Sequence, residues 1–549
     1  MKSATIFIRI SLLYVWARVA ISVFIVAFST AAYASGDLSL LRSLPAVGNN
    51  SSVEGVADNH NTLSWRGIPF AEPPVGDLRW RAPRDVPAWV GVRDSSKFSA
   101  ICSQLGSFFG KPDPATFGHP IGAEDCLYLN VWRPRNVEVD LPVLFWIHGG
   151  SNIKGAGSEH LYNGAAFARK ANAVVVTLNY RVGSFGWFSN SVLNEGDPRD
   201  DSGNFATLDL IKGLQWVRDN IVQFGGDANS VTIAGQSAGC INAWGLLQSP
   251  LAENLVDRML CSSGLPVLSS AAKGQQQSTD VIHALLIENG YASNTAQAEE
   301  FHLDQTDSWM RSFLRALPVE AIVRHTPTAI QSHFTDGYVM PSAGYSGLLL
   351  GDYHKVPMIL GNAKDEGTFF AGAAGLYSAT DAEIWELVNA QNSDGVSVTD
   401  VVDSELASLY RPLHKTLSLA ITLTVDSICR YLSFFQDDVY RYNFEWDDSP
   451  QPWNEIFGAL HGMDLPFLFG NFLNSEQADL TRFMISTENQ SRREALSDRF
   501  IQYVAQFMRN GKPNRLSDGL PLWPPWSSFW SSEQRLVLDD DLGSGSADY

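Results

Sequence analysis

Ser230-Val231-Thr232-Ile233-Ala234-Gly235-Gln236-Ser237-Ala238-Gly239 decides how the rest of the chain is read. Its first five residues are an apolar, β-branched run with the composition of a buried strand, and the pattern G-x-S-x-G follows with no intervening loop. A strand that passes at once into a helix through two glycines holds the middle serine in a strained backbone conformation, because the turn has no room for bulky neighbours. The serine oxygen then stands clear of the sheet at a helix N-terminus, where the macrodipole favours developing negative charge. Taken alone, the five residues also describe a Gly-rich turn with a surface serine. The rest of the chain separates the two readings.

Upstream, Val143-Leu144-Phe145-Trp146-Ile147 reads as a second buried strand, and His148-Gly149-Gly150-Ser151 follows it directly. In serine esterases an H-G-G-G-type loop in this place turns backbone N–H groups toward an oxyanion, joined by the amide after the nucleophile. The expected donors are the amides of Gly150, Ser151 and Ala238.

These motifs sit among longer segments. Trp65-Arg66-Gly67-Ile68-Pro69-Phe70-Ala71-Glu72-Pro73-Pro74-Val75-Gly76, Glu124-Asp125-Cys126-Leu127-Tyr128-Leu129-Asn130-Val131-Trp132, Asn179-Tyr180-Arg181-Val182-Gly183 and Phe224-Gly225-Gly226-Asp227 are collinear and mutually spaced as in one family. By these segments the chain resembles the type-B carboxylesterases, relatives of cholinesterases and fungal lipases, over nearly its whole mature length. The resemblance implies an α/β-hydrolase fold: a large, mostly parallel sheet flanked by helices, with helical insertions around an active-site gorge. In that fold the triad runs Ser, then Asp or Glu, then His. Lys364-Asp365-Glu366-Gly367-Thr368-Phe369-Phe370 resembles the family's acid segment, with Glu366 at the position of the acid; the chemistry of the residues alone leaves Asp365 open. Gly458-Ala459-Leu460-His461-Gly462-Met463-Asp464 resembles the histidine segment and makes His461 the base.

Such a constellation performs acyl transfer. His461 takes the proton of Ser237 as Oγ attacks an ester carbonyl, and Glu366 fixes the imidazole tautomer and stabilises the imidazolium. The reaction needs no metal or organic cofactor, and the histidines and carboxylates show no metal-ligand spacing. Four departures bear on specificity. Ser151 stands where many relatives have a third glycine, so a positive φ there would carry a penalty of ~1 kcal/mol. Asn152 stands where they often have an aromatic residue. Gln236 replaces the glutamate that usually precedes the nucleophile, which removes a negative charge beside Ser237. The stretch between Cys102 and Cys126 has no tryptophan to hold choline by cation–π attraction. Neutral carboxylic esters are the expected substrates. Two alternatives remain open: a lipase with an interfacial lid between Cys102 and Cys126, where Leu105, Phe108, Phe109 and Phe117 are lid, gorge wall or core, and a catalytically silent binding protein, against which the intact Ser237, Glu366 and His461 stand.

The 549 residues, 45% hydrophobic and 11% aromatic, are enough for a large core. Size alone suggests two domains; the resemblance implies one catalytic domain over residues 35–549, with helix-prone insertions at Asp280 to Leu317 and Asp381 to Leu413. Residues 1–34 read as a signal peptide: Lys2, Arg9 and Arg18 precede the apolar run Val19 to Phe28, and Ala32-Tyr33-Ala34 supplies an A-x-A cleavage site. An uncleaved anchor starting near Ile6 would carry Arg18 inside it. Cleavage near Ala34 leaves an exported protein, periplasmic or extracellular, with no membrane span. In an oxidising compartment Cys102 and Cys126 can pair as the family's N-terminal disulfide. Cys240, Cys261 and Cys429 remain, and an odd count of five leaves at least one free thiol. Loss of three basic residues on cleavage takes the formal charge from −20 to −23, which argues against nucleic acid as a partner and leaves a small-molecule ester.

Overall fold

Every residue of the strand Leu141–Ile147 is buried, and alternate side chains enter different cores. Val143, Phe145 and Ile147 pack with Val176, Leu210, Leu214 and Leu246. Leu144 and Trp146 pack with Phe167, Phe500 and Val504. A strand apolar on both faces belongs inside a sheet covered on both sides, the setting of parallel sheets.

The computed structural model describes residues 38–108, 113–373, 376–390, 395–472, 481–514, 519–527 and 534–540. The signal peptide expected at residues 1–34 and Phe109 of the expected lid lie outside them. Ten strands form the central sheet: β1 (Val56–Asp58), β2 (Thr62–Pro69), β3 (Tyr128–Pro134), β4 (Leu141–Ile147), β5 (Val174–Leu178), β6 (Gly226–Gln236), β7 (Arg258–Ser262), β8 (Met358–Ala363), β9 (Val439–Phe444) and β10 (Arg535–Leu538). Their order is β10-β9-β8-β7-β6-β4-β5-β3-β2-β1. From β5 to β10 all neighbours are parallel. β3, β2 and β1 extend the sheet antiparallel. The fold is the expected α/β-hydrolase fold.

Helices α1 (Phe205–Asn220), α2 (Ala238–Gln248) and α4 (Ala407–Leu432) cover one face, and α5 (Gln490–Asn510) the other; α3 (Glu366–Ala373) follows β8. The first expected insertion is helical and starts earlier than expected. Helices Ala271–Glu288, Thr295–Asp304 and Asp307–Ala316 bury Ile282, Leu285, Met310 and Leu314 against Trp80 and Phe188 in a core of their own. The second is not continuous. A helix at Asp381–Asn389 stops, Ser397 and Asp400 exchange capping hydrogen bonds around a short 3-10 turn, and α4 runs well past Leu413 to Leu432. Ala390, in extended backbone, closes the first of these helices.

The sulfurs of Cys102 and Cys126 are 2.06 Å apart, as the resemblance implies. Cys240 on α2 and Cys261 on β7 are likewise paired, while Cys429 is a buried free thiol whose pKa burial pushes up to about 12. Among the described residues no helix is long and apolar enough to cross a membrane.

His333 packs so tightly on α2 that a β-carbon on Gly245 would stand 2.3 Å from its ring. Its Nδ1 lies 2.7 Å from Thr207 Oγ1 and its Nε2 lies 3.3 Å from the Ile241 carbonyl oxygen. Burial pushes its pKa from 6.5 down to about 4. The unfolded chain therefore takes this proton first as pH falls. The stability contributed by the neutral ring is whole above pH ~6.5 and is lost as pH falls toward ~4. In urea unfolding followed across that range, His333→Gln, which keeps hydrogen-bonding groups but does not titrate, should lower the proton uptake on unfolding by about one. An unchanged slope would contradict a neutral buried ring.

Candidate active site

β6 ends at Gln236 and α2 begins at Ala238, so Ser237 alone makes the turn between them. Its backbone has φ 57° and ψ −124°, a combination rarely adopted by a residue with a side chain. Both flanking glycines are required sterically. A β-carbon on Gly235 would lie 2.4 Å from the carbonyl carbon of Gly239, and one on Gly239 would lie 2.0 Å from the carbonyl oxygen of Ile147. The Ser237 amide donates to the Ser262 carbonyl of β7 at 2.9 Å, which pins the turn to the neighbouring strand.

The loop after β4 faces this elbow. Among the described residues the amides of Gly150, Ser151 and Ala238 donate to no protein group, although Ala238 is 1% exposed. Buried N–H groups are almost always paired, so the unpartnered amide of buried Ala238 is unusual; Gly150 and Ser151 are half-buried. Ser151 and Asn152 have φ 57° and 60°. The serine thus carries the left-handed penalty of ~1–2 kcal/mol that a glycine would escape, while asparagine tolerates the region. A buried polar network offsets that strain. Asn152 and Asn242 of α2 exchange amide hydrogen bonds at 3.1 and 2.9 Å. Asn152 Nδ2 also donates to the Gln331 carbonyl at 2.8 Å, and Tyr180 donates to Asn152 Oδ1 at 3.1 Å and to the His148 carbonyl at 2.7 Å. The His148 ring stacks on Tyr180, and burial pushes its pKa down to about 4, so it is neutral. Sequence reading marked Asn152 only as a lost aromatic; its role in tying the loop to α2 was invisible without Asn242 beside it.

Glu366 is the first residue of α3, three residues past the end of β8. Its Oε2 lies 2.5 Å from His461 Nδ1, and its Oε1 accepts from the Ala363 amide at 2.8 Å. Burial opposes ionisation of this carboxyl. His461, with hydrogen bonds from its ring, from Ser263 and from the Ala363 amide, outweighs burial and holds the pKa below the usual glutamate value. Asp365 turns elsewhere, accepting from the Ala459 amide at 3.0 Å, and burial raises its pKa. The two neighbours that chemistry alone left open are thus separated by direction. Phe369 stacks on the His461 ring and Phe370 meets it edge-on. Beneath lies Asp464, which accepts from Ser262 at 2.5 Å and Tyr442 at 2.6 Å, its pKa raised by burial. The atom 3.0 Å from His461 Nε2 is Nε2 of Gln236, and no hydrogen bond joins Ser237 to the ring among the described residues.

A cavity of about 510 Å³ opens beside the loop, lined by Ile153 and Lys154 together with Gln104, Leu105, Phe117 and Asp381. Leu105 and Phe117 are therefore cavity wall. Among the described residues no cluster of three or more histidine, cysteine or carboxylate side chains is placed to hold a metal ion.

The sequence pattern of the carboxylesterase family matches residues 47–543. The chain is 30% identical to para-nitrobenzyl esterase of Bacillus subtilis (strain 168) over 495 residues, covering 89% of this chain and 94% of the relative. It is 31% identical to cocaine esterase of Homo sapiens over 509 residues, 88% of this chain and 84% of the relative. A solved carboxylesterase of Geobacillus stearothermophilus superposes with a TM-score of 0.68 at 25% identity, covering 91% of this chain and 96% of that one.

The Asn152–Asn242 pair is expected to stabilise the fold as well as the loop. Asn242→Leu removes one partner and leaves the buried Asn152 amide short of an acceptor and a donor, at a cost of about 1–3 kcal/mol. Urea unfolding should show this as a lower midpoint at unchanged slope.

Proposed function

The chain belongs to the carboxylesterase family and is a carboxylic-ester hydrolase, and from the geometry of its site we propose that it cleaves neutral carboxylic esters through an acyl-enzyme on Ser237, with His461 as base and Glu366 as its support. The observation that carries this reading is the contact of Glu366 Oε2 with His461 Nδ1, set beside a serine at a strained elbow.

In this mechanism Ser237 Oγ attacks the ester carbonyl carbon and its proton passes to His461 Nε2. The carbonyl electron pair moves onto oxygen, where the free amides of Gly150, Ser151 and Ala238 can receive it; one such donor is typically worth about 100- to 1000-fold in rate. Collapse expels the alcohol, which takes the proton from His461, and water repeats the sequence on the acyl-enzyme. A neutral side chain at Gln236, beside Ser237, favours an uncharged ester over a choline ester. We also take residues 35–549 as one catalytic domain, because strands from β1 to β10 share one sheet. Export after cleavage near Ala34 agrees with the two cysteine pairs at disulfide distance.

Ser237→Ala and His461→Ala should each abolish ester hydrolysis with the fold retained, because members of a triad act as a unit. Glu366→Gln should cost about 10⁴-fold in kcat, and Asp365→Asn less than about tenfold, since only Glu366 reaches the ring. The reverse ranking would identify Asp365 as the acid. On substrate class, kcat/KM for p-nitrophenyl butyrate should exceed that for butyrylcholine at high ionic strength, where long-range steering by the acidic protein is screened. A preference for the choline ester under those conditions would contradict the neutral site.

A further inference from the structure

Gln236 fills a slot between two glycines. Its side chain is 5% exposed. Oε1 lies 3.0 Å from where a β-carbon on Gly149 would stand, and Nε2 lies 3.3 Å from the corresponding point on Gly462. A side chain at either position would press on the amide, so the loop after β4 and the loop carrying His461 together define its place. Held there, Gln236 Nε2 lies 3.0 Å from His461 Nε2.

An amide nitrogen can only donate. The imidazole nitrogen facing it must therefore offer a lone pair, which leaves the ring proton on Nδ1, 2.5 Å from Glu366 Oε2. This is the tautomer a general base needs, yet its lone pair is already engaged. Ser237 Oγ requires the same lone pair, and a ring nitrogen has one. Resting on the reading of Ser237 and His461 given above, we propose that Gln236 is a positioning residue that latches the base in its reactive tautomer while occupying its lone pair, so that attack by Ser237 waits on withdrawal of the amide. After proton transfer Nε2 carries hydrogen, and a half-turn of the terminal amide brings Oε1 round to accept it. One side chain thus restrains the neutral base and supports the charged one. A glutamate, which accepts only, would do the second and not the first.

The test follows covalent labelling of the purified full-length protein by diethyl p-nitrophenyl phosphate. Ser237 Oγ forms the new P–O bond, p-nitrophenolate leaves and is counted, and the hydroxyl proton passes to His461. Gln236→Met keeps the length of the side chain and removes its donor. Its labelling rate constant should rise about fivefold, the factor of one neutral hydrogen bond, with the unfolding midpoint retained. Gln236→Glu replaces a donor with an acceptor and should move the acid limb of the labelling rate to higher pH by about one pH unit. Glu366 and Asp464, the other titratable groups facing His461, stay unchanged in both variants. A Met variant labelled no faster than wild type, or a Glu variant whose acid limb stays in place, overturns the latch. If the Met variant does not fold, the Glu variant decides alone. Ser237→Ala run in parallel separates the two levels. Continued stoichiometric labelling of that variant overturns Ser237 as nucleophile, whereas its loss beside unmoved Gln236 variants overturns the latch only.

Discussion

Between the α-carbon of Gly239 and the carbonyl oxygen of Ile147 there is no room for a methyl group: a β-carbon there would sit 2.0 Å from that oxygen. This backbone contact joins the end of β4 to the start of α2, and everything chemical follows from it. It brings the loop at His148 to Asn152 within reach of the elbow, so that amides from two separate segments can face one point. It also forces Ser237 to make the turn alone, at a φ of 57°. A larger residue at Gly239 would push the elbow away from the end of β4.

Strain on this scale needs support. Ser237 and Ser151 both hold positive φ, and neither has the freedom of glycine. The Ser262 carbonyl anchors one and the Asn152–Asn242–Tyr180 network anchors the other. The electrostatics follow the same logic. Glu366 is fully buried, and burial alone would neutralise it; the partners ranged around it keep it ionised. Asp464, equally buried and hydrogen-bonded by two neutral hydroxyls, is pushed the other way by burial. Two buried carboxyls near one histidine thus have opposite protonation tendencies, set by what donates to each.

The elbow, the loop after β4, the order of the triad segments and the Cys102–Cys126 pair could all be read from the chain, because each is a local pattern or a matched segment. What resisted reading depended on direction. Asp365 and Glu366 are chemically near-equivalent, and only the onset of α3 decides which of them turns toward His461. Gln236 looked like a missing charge; its contact with the ring depends on Gly149 and Gly462, far away in sequence. Asn152 looked like a missing aromatic, and its partner lies on a helix about ninety residues further on. The second insertion is helical at both ends, as its composition suggests, while the extended backbone at Ala390 between them is not marked in the sequence.

Ser237, Glu366 and His461 follow β6, β8 and β9, whose pairing runs through β7 and joins segments far apart in the chain: Ile233 lies beside Met259, Leu260 beside Ile359, and Ile359 beside Tyr440. Each pairing closes a long loop and pays its entropy before any contact repays it, which makes such sheets slow to assemble. No two of the three side chains can meet until the strands between them are in register. Chemistry that uses all three is therefore absent from every partly folded form lacking any one of those pairings. An assay of that chemistry counts molecules with a finished sheet, and during refolding its appearance should lag behind the helical signal.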